Sequence, residues 1–237
     1  MKSKILEQSI EKGIRSLTEY EAKQVLREYD IPCPNEFMIE NGDMIEKLSD
    51  FEAKDAGINY PLYMKISSRD ILHKTDAKVI AKASSDSEIV DKGRTILENA
   101  EKYNKDAEIE GILLSEDVSG EEKRELIVGS VLDEQFGHVI SLGIGGVSVE
   151  VYEDVEFRAV PLERRDVFSM VENLKGRKML QEFRGNPPVD MDSLVETVLK
   201  VSEILEENEE IEEIDINPLF VGPEGTVAAD ALITLTH

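Results

Sequence analysis

Residues 211–235 carry two runs of alternating apolar and polar residues, separated by the tetrapeptide GPEG at 222–225. Glycine and proline in this arrangement indicate a turn, and a period of two is the pattern of a β-strand with one buried face. The stretch therefore predicts an antiparallel hairpin, termed here the C-terminal ribbon. Because the turn sets the pairing register, it also fixes which side chains can meet.

The predicted register of the C-terminal ribbon follows from a turn centred between Pro223 and Glu224. Asn217 then lies directly opposite Asp230, because both are equally far from that centre. Opposed residues in an antiparallel pair have Cβ atoms about 5 Å apart, and Asp215, two residues before Asn217, shares their face. The other face would carry the apolar residues Ile214, Ile216, Phe220, Val227, Ala229, Ala231 and Ile233.

Three oxygen-bearing side chains, those of Asp215, Asn217 and Asp230, are thereby expected on one patch of the ribbon. Mg²⁺ prefers such hard oxygen ligands and completes its shell with waters and substrate phosphates. A solvated acidic face is the alternative, since 51 of the 237 residues are Asp or Glu. The register alone leaves both interpretations open, and a bulge in the turn would break it.

Composition and charge exclude several classes of partner. The net charge of −24 would repel nucleic-acid phosphates and anionic lipids, and the absence of tryptophan argues against a base-stacking surface. Cys33 is the only cysteine, so no intrachain disulfide is possible. The first residues resemble no signal peptide, and the most apolar run, 138–151, is too short for a membrane span. We therefore expect a cytoplasmic protein that binds neither nucleic acid nor membranes.

Helix and strand signals are mixed along the chain and predict an α+β fold. The polar residues 1–16 predict a separate N-terminal arm or docking helix. Thr18 and Glu21 form a capping-box pattern at the start of the next helix. Two further helices are expected at about 165–184 and 191–207, from apolar residues at helical spacing.

His73 lies in the polar loop SSRDILHKTD, residues 67–76, between two predicted strands. A neutral imidazole is a competent nucleophile at about pH 7, and its pKa allows it to be neutral there. The residues alone favour an ordinary surface histidine.

Several segments, in order from about residue 17 to residue 235, together resemble the β subunit of ADP-forming (NDP-forming) acetyl-CoA synthetase. This is an ATP-grasp protein of the acyl-CoA synthetase superfamily. The segments are LTEYEAKQVLREYDIPCP, YPLYMKISSRDILHKTD, ELIVGSVLDEQFGHVISLGIGG, FRAVPL, FRGNPP and EIDINPLFV…VAADALI. The resemblance implies an ATP-grasp fold of two lobes with the nucleotide between them. Residues 17–117 would form the first lobe with the phosphohistidine loop, and 118–237 the second with the metal-binding hairpin.

The resemblance also implies a reversible reaction in which acyl-CoA, ADP and phosphate give the free acid, ATP and CoA. His73 matches the histidine that receives a phosphoryl group and passes it to ADP. Asp215 matches an acidic residue that orients the phosphohistidine, and Asn217 and Asp230 match the Mg²⁺ ligands. The CoA and acyl sites belong to the family's α subunit, which implies an α partner, as an α2β2 heterotetramer.

Further nucleotide-binding residues are implied by the same resemblance. Lys65 matches a strand lysine that contacts phosphates, although a lysine on an edge strand can also simply prevent aggregation. Glu116, Asp117 and Val118 match the linker between lobes, where backbone groups would read the adenine and Glu116 would bind the ribose; ordinary strand polarity is the alternative. Glu125 matches an acidic position that faces the nucleotide, or is a paired surface charge.

The sequence departs from the family after HKTD, where glycines are expected and Ala77 and Lys78 stand instead. Glycine lets backbone amides approach phosphates closely, so the role of this turn is open. The departure also leaves open a catalytically silent nucleotide-binding or regulatory subunit, and the β subunit of a related succinyl-CoA-type ligase is a further alternative. The acyl substrate and the choice between ADP and GDP remain open.

Overall fold

A computed structural model of the protein describes residues 2–71, 74–146 and 154–236. The chain forms two compact units, one of Pro34–Asp117 and the other of Met1–Cys33 with Val118–His237. They are termed here the inserted unit and the terminal unit, because the first interrupts the second along the chain. Each has a hydrophobic core of its own.

The structure corrects the predicted domain organisation at its N-terminal end. Residues 17–33, expected in the first lobe, belong to the terminal unit, and residues 2–16 do not form a separate arm. The reason is that this stretch supplies apolar side chains to the terminal core and pairs with the end of the chain: the Leu17 N–H donates to the Ile233 carbonyl at 3.0 Å. The buried side chains are Leu6, Leu17, Ala22, Val25, Leu26, Tyr29 and Ile31.

The inserted unit is a four-stranded antiparallel sheet with helices packed against its apolar face. Its elements are β1 (Glu36–Glu40), α3 (Met44–Ser49), β2 (Leu62–Ser67), β3 (Ile80–Ala83), α4 (Asp86–Tyr103) and β4 (Gly111–Glu116). The strand order is β1-β4-β2-β3. Alternate residues of β2, namely Leu62, Met64 and Ile66, enter the core. Lys65 between them therefore lies on the opposite sheet face.

The terminal unit is built on a larger antiparallel sheet, of order β10-β8-β5-β6-β7 with β9 paired to β8. Its helices are α1 (Lys4–Glu11), α2 (Glu19–Glu28), α5 (Arg164–Asn173), a 3-10 turn (Arg177–Leu180) and α6 (Met191–Glu207). Its strands are β5 (Arg124–Asp133), β6 (Gly137–Ile144), β7 (Val155–Ala159), β8 (Ile211–Gly222), β9 (Gly225–Ala228) and β10 (Ala231–Leu235). The apolar sides of these helices and one sheet face form the core.

The register predicted for the C-terminal ribbon is confirmed. Gly222 pairs with Gly225 at the turn, and further along Ile216 pairs with Ala231. Both pairs are symmetric about the point between residues 223 and 224. Between them the Asn217 N–H donates to the Asp230 carbonyl at 3.3 Å, so these two residues are opposed.

The expected apolar face of the ribbon is wrong beyond Asn217, because β8 contains a bulge. Leu126 of β5 pairs with Leu219 of β8, whereas Val128 pairs with Ile216, so β8 has one extra residue between the two pairs. A bulge reverses the alternation of faces. Leu219, Val221 and Ala228 are consequently buried, while the residues expected there, Phe220, Val227 and Ala229, are only half-buried.

The helix expected at about 165–184 is shorter than predicted, since α5 ends at Asn173. The Asp154 carboxylate accepts hydrogen bonds from the backbone N–H groups of Lys175 and Gly176, both at 2.7 Å, and so fixes the chain just beyond that end. Among the described residues, none of the helices combines the length and apolarity that crossing a bilayer requires.

Candidate active site

Asn217 and Asp230 occupy the interruption in the ribbon's regular pairing. Asn217 belongs to the bulge of β8, and Asp230 lies between the end of β9 and the start of β10. Their neighbours Ile216 and Ala231 are buried, whereas Asn217 is exposed and Asp230 half-buried. The two polar side chains therefore share the sheet face that points away from the helices.

Asp215 lies on the same face, paired with Leu232 on one side and Gly129 on the other. Its burial and the negative charges of Glu213 and Asp230 raise the pKa of its carboxyl above the ordinary value. Repulsion between carboxylates of this kind is relieved when a cation binds to them. The negative charges of this patch therefore favour the binding of a cation.

The donor set of this patch fits a magnesium ion. It offers the carboxylates of Asp215 and Asp230 and the amide oxygen of Asn217, all hard oxygen ligands. In the part of the chain that the structure describes, no cluster of three or more His, Cys, Asp or Glu side chains is arranged to hold a metal by itself. A partial set is what Mg²⁺ commonly uses, because waters and substrate phosphates complete its shell.

Glu125 of β5 lies on the same open sheet face, four residues before Gly129. Its carbonyl accepts a hydrogen bond from the Gly145 N–H at 2.6 Å. A Cβ on Gly145 would approach the Glu125 backbone to 2.9 Å, so only glycine fits there. Gly145 therefore serves the close approach of the chain after β6 to β5, and the glycine cluster at 143–146 to which it belongs matches no nucleotide motif. Residues 147–153 lie outside the described part of the chain.

Lys65 is placed on β2 between Ile80 of β3 and Leu113 of β4, and it is buried, with 8% exposure. Lys82 of β3 lies on the same sheet face, opposite Tyr63, with its Nζ 5.4 Å from the centre of that ring. The Asp117 carboxylate is 2.5 Å from Lys82 Nζ and raises the pKa of this lysine. Lys82 was not predicted from the sequence, where its only signal is a lysine two residues into an apolar strand.

The Glu116 side chain forms hydrogen bonds within the inserted unit. One carboxylate oxygen accepts from the backbone and side-chain N–H groups of Asn59, both at 2.7 Å, and the other from Asn35 Nδ2 at 3.1 Å. The carboxylate therefore ties two loops to the end of β4. This arrangement favours a positioning role for Glu116 over the expected contact with ribose.

Asp117 and Val118 form the boundary between the two units. The Asp117 carboxylate pairs with Lys82, and its N–H donates to the Pro61 carbonyl at 2.9 Å. The Val118 carbonyl accepts from Lys123 Nζ at 2.7 Å.

His73 and its neighbour Leu72 lie outside the described residues, but both ends of their loop are described. On one side Ile71 is buried, with 1% exposure, and the Asp70 carboxylate accepts from the Glu108 N–H at 2.8 Å. On the other side the Val79 N–H donates to the Lys74 carbonyl at 3.1 Å. The loop is therefore anchored close to the histidine in both directions.

Arg69 precedes the histidine of this loop, and Lys78 follows it. Arg69 forms an ion pair with Glu110. Lys78, where the family leads one to expect glycine, has a φ of 55°, in the left-handed region that favours glycine. Its N–H donates to the Thr75 carbonyl at 3.1 Å and its carbonyl accepts from Asn99 Nδ2 at 2.8 Å. The turn thus keeps a glycine-like backbone without the glycine.

Comparison with known proteins identifies the family of the chain. Residues 8–235 match the family model of the ATP-grasp domain. The chain is 40% identical, over 98% of its length and 97% of the relative's, to the acetate–CoA ligase (ADP-forming) II subunit beta of Pyrococcus furiosus.

Solved structures show the same similarity. The dinucleotide-forming acetyl-coenzyme A synthetase 1 of Ca. Korarchaeum cryptofilum, in complex with coenzyme A, Ca-AMPCP and HgCl+, matches with a TM-score of 0.90 and 36% identity over 98% of both chains. A second structure of that enzyme contains coenzyme A and Mg-AMPPCP, with its phosphohistidine segment pointing towards the nucleotide binding site; it matches with a TM-score of 0.81 and 33% identity over 98% of both chains. This chain therefore belongs to the ATP-grasp family, among the β subunits of ADP-forming acetate–CoA ligases.

Proposed function

We propose that this chain is the nucleotide-binding β subunit of an ADP-forming acid–CoA ligase, and that His73 carries a phosphoryl group to ADP. The observation that carries the proposal is the oxygen-rich face of the ribbon, where Asp215, Asn217 and Asp230 meet. The similarity to β subunits of acetate–CoA ligases over nearly the whole chain supports it. The reaction is the reversible conversion of acyl-CoA, ADP and phosphate into acid, ATP and CoA.

The transfer step is a displacement at phosphorus. A terminal phosphate oxygen of ADP forms the new P–O bond while the N–P bond to His73 breaks, and the electron pair of that bond returns to the ring nitrogen. The ring leaves as a neutral imidazole if its other nitrogen keeps its proton. In this proposal the Asp215 carboxylate accepts a hydrogen bond from that N–H, which fixes the tautomer and stabilises positive charge on the ring during transfer.

The remaining residues bind and orient the nucleotide. Asn217 and Asp230 would hold Mg²⁺, which supplies positive charge to the phosphate oxygens. Lys65 contacts the phosphates as a point charge, and Glu125 faces the nucleotide from β5. Glu116 and Asp117 shape the linker, where backbone groups read the adenine.

A partner chain completes the enzyme. The relative from Pyrococcus furiosus is named as a subunit beta, which supports a partner for this chain as well. We propose an α subunit that carries the CoA and acyl sites and a first phosphohistidine, in an α2β2 assembly. The acyl specificity would then belong to that partner.

Phosphorylation of the isolated chain tests the proposal without the partner. After incubation with Mg²⁺ and ATP carrying radioactive phosphorus at the γ position, we expect a label that is labile in acid and stable in base. The variant His73→Ala should carry no label. His138→Ala is the matched control and should be labelled normally, because His138 Nε2 is 2.7 Å from the Ile211 carbonyl within the terminal unit and has no place in the transfer. An unlabelled parent protein would indicate a catalytically silent subunit, and a labelled His73→Ala variant would assign the phosphoryl group to another residue.

A further inference from the structure

A charged pair is buried inside the terminal unit, beside the ribbon. Lys23 of α2 has a fully buried side chain, and its Nζ lies 2.7 Å from Oε1 of Glu19, whose side chain is 3% exposed. A buried ion pair is weak evidence for stability, because desolvation offsets the attraction and apolar residues of similar volume often replace it without loss. Packing alone therefore gives no reason for these two charges.

The second contact of Lys23 points to a reason. Its Nζ also donates to the Ala229 carbonyl at 3.3 Å. Ala229 directly precedes Asp230, in the gap between the end of β9 at Ala228 and the start of β10 at Ala231. The buried ammonium of Lys23 thus binds the backbone one residue before Asp230, the candidate metal ligand.

This gap is where the ribbon needs additional support. Regular strand pairing is interrupted on both sides, by the break at 229–230 and by the bulge at Asn217. Two backbone hydrogen bonds cross the gap, from the Ala229 N–H to the Pro218 carbonyl at 3.0 Å and from the Asn217 N–H to the Asp230 carbonyl at 3.3 Å. The Lys23 ammonium adds a third bond, anchored in a helix rather than in the ribbon.

Glu19 makes the ammonium compatible with a neighbouring cation site. A lone buried positive charge so close to the ribbon would oppose the binding of a divalent cation. The carboxylate at 2.7 Å offsets that charge, so that the pair provides a strong donor with little net field.

We propose that Lys23 is a positioning residue for the metal site, and that its bond to the Ala229 carbonyl holds Asp230 opposite Asn217 at the spacing that a divalent cation requires. The inference rests on the proposed metal role of Asn217 and Asp230. Removal of groups that orient metal ligands typically weakens metal affinity by about 10- to 100-fold, and we expect an effect of that size here.

Titration calorimetry with ADP, once with excess Mg²⁺ and once with EDTA, tests the inference. The measured quantity is the ratio of the two dissociation constants, which reports the contribution of the metal alone. The double variant Glu19→Gln/Lys23→Met removes both charges and so leaves no unpaired buried ion. In this variant we expect Mg²⁺ to strengthen ADP binding by about 10- to 100-fold less than in the parent, while the ADP affinity in EDTA stays unchanged. A purely structural role would lower both affinities together and would contradict the inference.

Three further variants complete the test. Val25→Ala opens space in the same helix without touching the pair, and its ratio should equal that of the parent. Glu19→Asp keeps both charges, and therefore the fold, but draws the ammonium away from Ala229; it should lose part of the ratio even if the double variant does not fold. Asp230→Asn separates the two proposals. If Asp230→Asn removes the effect of Mg²⁺ on ADP affinity while the Lys23 and Glu19 variants keep it, the positioning role is wrong. If Asp230→Asn keeps the effect of Mg²⁺, the metal role itself is wrong.

Discussion

The inserted and terminal units treat charged groups on their open sheet faces in opposite ways. In the inserted unit, Lys82 on that face is paired with Asp117. In the terminal unit, Asp215 and Asp230 lie close enough for repulsion to contribute to the raised pKa of Asp215. On the first face opposite charges are paired, whereas on the second two carboxylates lie near each other.

We infer from this contrast that the two units contribute differently to nucleotide affinity. Satisfied groups are already oriented, so the inserted unit can contact phosphates and base with little reorganisation. Neighbouring carboxylates of like charge instead favour binding by the terminal unit through a metal ion. The inserted unit should therefore determine affinity for the nucleotide with or without metal, and the terminal unit should determine how much the metal adds.

The sharpest test of that division compares Lys65→Met with Asn217→Ala. Loss of a charge-assisted contact with phosphate should cost about 1.5–3 kcal/mol, or roughly 10- to 100-fold in ADP affinity. For Lys65→Met we expect this loss equally in Mg²⁺ and in EDTA. For Asn217→Ala we expect it only in Mg²⁺, because the amide oxygen acts through the metal. Titration calorimetry under both conditions measures the four values.

Lys47→Met is the control for Lys65→Met. Lys47 also lies in the inserted unit, where its Nζ donates to the backbone carbonyls of Glu40 and Asn41 at 3.0 and 3.1 Å. It should bind ADP as the parent does. Equal metal dependence in Lys65→Met and Asn217→Ala would remove the proposed distinction between the units.

The sequence predicted most reliably what depends on local geometry. The register that opposes Asn217 and Asp230 follows from a single turn, and it persists past that turn into β10. The capping box of Thr18 and Glu21 likewise forms as its local pattern indicates. Each needs only a few neighbouring residues, so no distant contact can easily override it.

Features set by contacts far along the chain were missed. The bulge at Asn217 depends on pairing of β8 with β5, about 90 residues earlier. Residues 17–33 join the terminal unit because their apolar side chains fit a core supplied mainly by the second half of the chain. From the sequence Lys23 resembles an exposed helical lysine, whereas in the structure it is bonded to Glu19 and Ala229. Periodicity cannot report such partners.

The metal-free protein should become more stable when Asp215 loses its negative charge. Because the pKa of Asp215 is raised in the folded protein, the folded state holds this proton more tightly than the unfolded state. Stability should therefore fall as pH rises from the unfolded pKa through the folded one, and the full penalty is present above it. Asp215→Asn removes the penalty, so in EDTA at about pH 7 it should stabilise the protein by up to about 1 kcal/mol, limited by solvent screening.

Chemical denaturation in EDTA, from about pH 7.5 down to about pH 4.5, measures this effect. The advantage of Asp215→Asn should shrink as the parent carboxyl becomes protonated. Glu212→Gln, at an exposed position of the same strand, controls for the loss of one negative charge from an acidic protein and should show no such advantage. An Asp215→Asn variant that is less stable than the parent at about pH 7 would show that the carboxylate is already compensated within the chain.

The smallest expected change in stability is in the inserted unit, and it comes from backbone strain at Lys78. Lys78 has a φ of 55°, which costs a residue with a Cβ about 1–2 kcal/mol relative to glycine. Glycine recovers that cost but loses more entropy on folding, so Lys78→Gly should stabilise the protein by about 0.5 kcal/mol. Lys78→Gln retains the strain and removes the charge, and it should leave stability nearly unchanged. Thr75→Gly, in the same turn without a positive φ, should destabilise instead; denaturation midpoints that move together in all three variants would mean that charge or composition, not the left-handed backbone, governs this turn.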